Sequence, residues 1–202
     1  MTGVRGRFAP SPTGQMHLGN AWTALLAWLQ VRSQGGTMVL RIEDLDPDRS
    51  RKEYVDQLIE DLHWLGLDWD EGPDIGGPYG PYCQDERRHL YQAALESLIQ
   101  QGLVYPCYCS RAELRQAASA PHGSDRNNIY PGYCRNLTMA QRQFKEASGR
   151  RPALRLMVPD CTIAFIDGLY GLVRQNLRQE CGDFILQRSD GVHAYQLAVV
   201  VD

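Results

Sequence analysis

Apolar residues along this chain recur first at the spacing of a helix and then in short compact runs, and the two patterns alternate. Residues 4–8 are a short β-tolerant run, closed by Pro10 and Pro12, which stop any helix. Ala21, Trp22, Leu25, Leu26, Trp28 and Leu29 then recur at three and four, predicting a helix that starts just after 17–20. Residues 37–42 read as a second strand. A helix over 52–65 carries Val55, Leu58, Ile59, Leu62 and Leu65 on one face and stops at Gly66. Another over 85–101 carries Leu90, Ala94, Leu95, Leu98 and Ile99 and stops at Gly102, and the Gly/Pro tract 71–81 between them is a loop. This is a βαβα beginning, so the expected fold class is α/β with a parallel sheet. After Cys107 the pattern changes to loops, a short helix and β-like runs at 154–158 and 162–166.

Composition adds a size, a compartment and a charge contrast. At 202 residues and 43% apolar the chain supports one or two cores. No apolar run approaches the ~20 residues of a membrane span. MTGVRGRF lacks the apolar stretch of a secretory signal, so the expectation is a soluble cytoplasmic enzyme with no membrane partner. The net charge of −3 is wrong for a nucleic-acid binder until it is divided by region. Residues 111–155 hold nine Lys/Arg against three Asp/Glu, whereas the others hold twelve against twenty-one. A solvated mixed-charge face would explain such a run, but the contrast with its flanks favours a module that contacts a phosphate backbone.

Candidate chemistry begins at RFAPSPTGQMHLGN, 7–20. Gly14 and Gly19 let a backbone approach a ligand closely, and His17, Leu18, Gly19 and Asn20 stand at a helix start, whose unsatisfied N–H groups and dipole attract an anion. A phosphate fits there; a Gly/Pro turn before a core helix capped by Asn20 would use the same residues. Glu43 and Asp44 fall at the carboxyl end of the second strand, where parallel α/β folds bind ligands. A charged strand end paired with neighbouring arginines is the alternative there.

RFAPSPTG followed by RIEDLD (41–46) resembles two signatures of the glutamyl branch of class I aminoacyl-tRNA synthetases. The resemblance continues through LGLDWDEGP (65–73), YPCYC (105–109), YPGYCR (130–135), GDFILQRSDG (182–191) and YQLAVVVD (195–202), essentially the whole chain. ASAPH (118–122), and QNL (175–177) with GDF and YQLAVVVD, are most similar to the short paralogues of that branch that attach glutamate to queuosine. The resemblance implies ATP with its Mg²⁺, L-glutamate, and tRNA(Asp) carrying queuosine as partners. It implies that Arg7, Phe8, Ala9, Pro10, Ser11, Glu43 and Tyr195 line the glutamate pocket. These include cationic and hydroxyl donors for two carboxylates and a carboxylate for the ammonium; Tyr195 also reads as a half-buried strand aromatic. His17, Leu18, Gly19 and Asn20 match the HIGH-type ATP motif, with Asn in the last place.

The implied architecture is a Rossmann-type nucleotide-binding fold whose first half is 1–81, interrupted by a zinc-containing, basic, RNA-facing α+β insertion at 82–181, with an incomplete second half from 182 to 202. The family continues past VVVD with a pocket arginine and a lysine-bearing loop over the ATP phosphates. The lysines here are Lys52 and Lys145, neither in such a context, so the expectation is a truncated, poorly active form. The catalytic half of an ordinary glutamyl-tRNA synthetase and a non-catalytic zinc- and RNA-binding fragment are the other readings.

Cys107, Cys109, Tyr130 and Cys134 have C-x-C-x₂₀-Y-x₃-C spacing, in which three thiolates and a phenol oxygen could hold one tetrahedral Zn²⁺. Buried free thiols, or a disulfide from Cys134 to one of the pair, would use the same residues, the latter disfavoured in a reducing compartment. The resemblance of YPGYC to the family's metal site implies one zinc per chain. Cys83, Cys161 and Cys181 are expected to be structural, and His63, His89, His122 and His193 have no ligand spacing.

Overall fold

The computed structural model describes residues 3–110, 112–114 and 129–202. They fall into two compact units, Met1–Leu90 and Tyr91–Asp202. ASAPH, Arg111, Arg115, His122 and Arg126 lie outside the described residues.

In the first unit, β1 (Arg5–Phe8), α1 (Leu18–Arg32) and β2 (Thr37–Leu40) form a β–α–β element. β1 and β2 run parallel, from Arg5 opposite Thr37 to Phe8 opposite Leu40. Val39 also bridges Glu71 in parallel on its other edge, and Ile42 bridges Cys83. Pairing on both edges makes β2 a central strand, and packing from helices such as α1 and α2 (Lys52–Trp64) covers it, so Met38, Val39 and Leu40 are all apolar and all buried. α2 brings Leu58 and Leu62 into this core, each burial worth roughly 1.5–3 kcal/mol. On α1 the expected apolar set splits between two sides. Ala24 and Val31 pack inward, with Leu25 and Trp28 half-buried, while Trp22, Leu26 and Leu29 remain exposed.

The helix predicted over 85–101 begins differently. Residues Gln84–Arg87 form a 3-10 turn, and α3 follows at Arg88–Gln100. The chain leaves the Ile42–Cys83 bridge at this point, and the Asp44 carboxylate accepts the Asp85 backbone N–H at 2.9 Å, capping the tighter turn.

The second unit contains β3 (Val104–Cys107), α4 (Met139–Ala147), β4 (Ala153–Leu156), β5 (Thr162–Asp167), β6 (Gly171–Asn176), α5 (Leu177–Glu180), β7 (Ile185–Gln187) and α6 (Tyr195–Val201). β3, β4 and β7 make an antiparallel sheet in that order, and β5 and β6 make a hairpin. Thr138 and Gln141 close a capping box on α4. Buried Asp183 ties the sheet to the loops. Its carboxylate accepts the Tyr105 hydroxyl at 2.7 Å, Arg135 Nη1 at 2.9 Å and the Val158 N–H at 2.8 Å. Cys161 and Cys181 are exposed, which corrects the structural role expected of them; Cys83 packs against the core of the first unit. Among the described residues no helix is long and apolar enough to cross a membrane.

Candidate functional site

The His17–Asn20 segment folds itself into a helix start. His17 occupies the N-cap of α1, its Nδ1 accepts the Gly19 N–H at 3.1 Å, and Asn20 Oδ1 accepts the His17 N–H at 3.2 Å. A side chain at position 19 would place its Cβ 3.0 Å from the His17 ring, so the exposed ring would have to shift by a few tenths of an ångström to admit one. His17 is thus the capping residue, and Asn20 answers it from the third helical position, a correction to Asn20 as cap. Nδ1 is the acceptor, so the neutral ring carries its proton on Nε2. The exposed imidazole, the remaining N–H groups and the helix dipole together offer donors to an anion.

RFAPS and RIEDLD meet at the carboxyl ends of β1 and β2. The Glu43 N–H donates to the Pro10 carbonyl at 2.9 Å, and the Arg41 N–H to the Phe8 carbonyl at 3.0 Å. Phe8 and Pro10 are buried, Ala9 is half-buried, and Arg7 and Ser11 are exposed beside them. Arg41 Nη2 lies 3.3 Å from Glu43 Oε1, with both side chains under a tenth exposed, so the charged strand end is also an internal ion pair. Arg7 to Ser11 and Glu43 therefore share one locale. Tyr195 belongs to the second unit, where it is 56% exposed at the first position of α6, a helix and not the strand that a half-buried aromatic would have implied.

Cys107, Cys109 and Cys134 converge, with all three sulfurs within 4.8 Å of one another. Cys109 and Cys134 Sγ are 3.6 Å apart, and Tyr130 Oη lies 3.4 Å from Cys107 Sγ and 3.7 Å from Cys109 Sγ. Zn–S bonds of about 2.3 Å in a tetrahedron give an S···S edge near 3.8 Å, so the four donors fit that ion. All three thiols are free. Backbone groups hold the donors in place: the Cys134 N–H donates to Tyr130 Oη at 2.9 Å, and the Tyr108 N–H to Cys134 Sγ at 3.5 Å. Burial and the neighbouring sulfurs push the Cys109 thiol up to about 12. Burial also raises Cys107, but the Tyr130 hydroxyl, the Cys109 N–H and Arg155 outweigh it and bring that thiol below its ordinary value. Burial, then the bond to Cys107, pushes the Tyr130 phenol up. A bound divalent cation reverses this crowding by favouring the ionised donors.

Two residues absent from the expected site stand around it. Arg155 on β4 is buried with its guanidinium over the Tyr130 ring, and Asp183 anchors Arg135, the neighbour of Cys134. An arginine in the middle of the apolar run ALRLMV was the visible signal for the first; GDF marked the second as a motif without giving it a role. Both arginines also count in the basic run, and neither is spent on solvent. Arg150 pairs with Glu113 at 3.0 Å as well, so the described basic surface is smaller than the charge count suggests.

A parallel β–α–β start whose helix opens on a His-x-Gly-Asn cap, with carboxylates alongside at the strand ends, is the α/β architecture of a class I synthetase catalytic domain. Residues 3–202 match the family described as tRNA synthetases class I (E and Q), catalytic domain, and the chain belongs to it. It is 59% identical over 199 residues to a glutamyl-Q tRNA(Asp) synthetase of Nitratidesulfovibrio vulgaris and 58% identical over 198 to one of Symbiobacterium thermophilum. Each alignment covers 98% of this chain and 61% of the relative, so the chain spans about three fifths of their length. A glutamate–tRNA ligase of Sulfurihydrogenibium sp. is 48% identical over 98% of this chain and 41% of its own. The crystal structure of a glutamate tRNA ligase from Elizabethkingia meningosepticum, in complex with its amino acid, superposes with a TM-score of 0.80 at 32% identity, covering 98% of this chain and 41% of that one.

Proposed function

We propose that this protein activates L-glutamate with ATP and transfers the glutamate to the queuosine of tRNA(Asp). The observation that carries the choice of RNA is the identity of 59% and 58% to two glutamyl-Q tRNA(Asp) synthetases, against 48% to the glutamate–tRNA ligase of Sulfurihydrogenibium sp.. The chemistry needs no protein nucleophile. The substrate carboxylate attacks the α-phosphorus in line and pyrophosphate leaves, so the protein's work is positioning and charge stabilisation. The His17–Asn20 helix start receives the phosphates, and Mg²⁺ arrives with ATP. Arg7 to Ser11, Glu43 and Tyr195 hold glutamate, with Glu43 facing its ammonium.

In this reading residues 1–81 carry the ATP and glutamate sites, 82–181 are the zinc-containing insertion that meets RNA, and 182–202 begin the second half of the catalytic domain. Cys107, Cys109, Tyr130 and Cys134 hold one Zn²⁺, which when bound cross-links β3 to the 130–134 loop. The catalytic half of an ordinary glutamyl-tRNA synthetase is the competing reading, supported by the likeness to the Elizabethkingia ligase. Charging of tRNA(Asp), with and without queuosine, and of tRNA(Glu) by the full-length gene product separates the two.

A further inference from the structure

We propose that Arg155 is the fixed counter-charge of the Cys107–Cys109–Tyr130–Cys134 centre, a positioning residue that allows three thiolates, a phenol oxygen and a divalent ion to be held inside the protein. This rests on the reading of the cluster as a zinc site. Arg155 is 6% exposed on β4, opposite Tyr105 of β3, the strand that ends at Cys107. Its guanidinium carbon lies 3.8 Å from the centroid of the Tyr130 ring, and Nη1 donates to the Asp183 carbonyl at 2.6 Å. Its Nε is buried without a hydrogen-bond partner, and no ion pair from Arg155 to a carboxylate is seen among the described residues.

A buried guanidinium that bonds one carbonyl, lies over an aromatic face and reaches toward the Cys107 sulfur is costly unless a negative charge lies close by. Three thiolates around one divalent ion leave a net negative charge, whereas the buried Asp183 carboxylate alongside already accepts from Arg135, the Tyr105 hydroxyl and the Val158 N–H. The cation over the ring face also fixes the ring and favours anionic character on its oxygen. Arg155 therefore serves the centre through Tyr130 and Cys107 without ligating the ion.

The test measures zinc retention by the full chain in competition with a chromophoric chelator, together with the visible spectrum of the cobalt(II)-loaded protein. Wild type should hold about one zinc. Arg155→Gln keeps a donor for the Asp183 carbonyl but removes the charge, and should give up zinc about 10- to 100-fold more readily, the usual effect of losing an outer partner of a metal site. Arg155→Lys should retain most of the affinity, and cobalt bands should shift in the Gln variant more than in the Lys variant. Should Arg155→Gln not fold, Arg155→Met serves in its place. A folded, uncharged variant that holds zinc within twofold of wild type, with unchanged cobalt bands, overturns the role of Arg155. A wild-type chain that binds no zinc overturns the metal-centre reading itself.

Discussion

The backbone N–H of Glu43 donates to the carbonyl of Pro10 at 2.9 Å, and with the bond from the Arg41 N–H to Phe8 it sets the spacing between the two motifs that read most clearly in the sequence. It prolongs the β1–β2 pairing past the strand ends, so a carboxylate from one strand stands beside the loop of the other. Glu43 also pairs with buried Arg41. Glu43→Ala should therefore lower stability by about 3 kcal/mol, since it removes one member of a buried ion pair. Glu43→Gln should cost much less in stability yet still raise KM for glutamate, because a neutral amide does not balance an ammonium. A charged hydrogen bond of about 1.5–3 kcal/mol corresponds to roughly 10- to 150-fold in kcat/KM. Urea midpoints, and glutamate-dependent ATP–pyrophosphate exchange by the full-length gene product, measure the two effects separately. An unchanged KM in the Gln variant would remove Glu43 from the pocket.

What could be read in advance was local. α2 carries its signal within thirteen residues and ends one position before Leu65, with Leu58 and Leu62 inward as the spacing required. Cys107, Cys109, Tyr130 and Cys134 announced themselves by residue type and interval, and they do converge. Partner choice over long range was not legible. Nothing near Glu71 in the sequence points to Arg5, and nothing near Asp183 points to Tyr105 or Arg135, because such pairs are set by which strands become neighbours. Periodicity also failed to say which of two apolar sides of α1 packs: Trp22 and Leu29 have the right spacing and the wrong face. The 3-10 turn at Gln84–Arg87 was hidden for a similar reason, since its cap comes from Asp44, forty-one residues earlier.

Glu71 gives the first unit a pH dependence with a definite sign. Its buried carboxylate accepts hydrogen bonds from Arg5 and from the Tyr82 hydroxyl. The bond from Arg5, against the opposing effect of burial and with help from Tyr82, holds its carboxyl below the ordinary glutamate value. An unfolded glutamate titrates near about 4.3, so the contribution of Glu71 is complete above that pH and is lost as the pH falls through the lower folded value. Glu71→Gln should be less stable than wild type at pH 7, and the gap should narrow on acidification from about pH 5 to pH 3. Urea midpoints across that range provide the check. A gap that stays constant with pH would mean that Glu71 titrates alike in both states.

Gly182 ties the GDF segment to the loop that carries Tyr130 of the cysteine cluster. It has φ +71 and a parallel bridge to Tyr130, and a Cβ there would come 2.7 Å from Ile129 Cγ2 and 3.2 Å from the Tyr130 carbonyl oxygen. Gly182→Ala should cost about 1–2 kcal/mol from the left-handed backbone alone, with the contact against Tyr130 added to it. Relief of that contact displaces a proposed zinc ligand, so zinc affinity should fall together with stability. Denaturation midpoints with and without zinc, and chelator competition, report both. A variant that loses stability but binds zinc as tightly as wild type would show that Tyr130 does not depend on this bridge.

The choice of acceptor RNA separates the two synthetase readings. An ordinary glutamyl-tRNA synthetase must recognise tRNA(Glu) and esterify its terminal ribose, whereas a queuosine-directed enzyme must bring the anticodon loop of tRNA(Asp) to the adenylate. Basic residues such as Arg142, Lys145 and Arg151 fit either geometry, since phosphate contacts position an RNA without reading its sequence. Discrimination must then come from the nucleoside presented. Queuosine carries a cis-diol on its modified base that stands in for the ribose diol, and guanosine's base carries none. With the full-length gene product, labelled glutamate should therefore attach to tRNA(Asp) bearing queuosine, and neither to the same tRNA with guanosine at that position nor to tRNA(Glu). Efficient charging of tRNA(Glu) would instead support the ordinary synthetase. Loss of labelling in Tyr195→Ala is expected under both readings, because both place that residue against glutamate and differ in the acceptor alone.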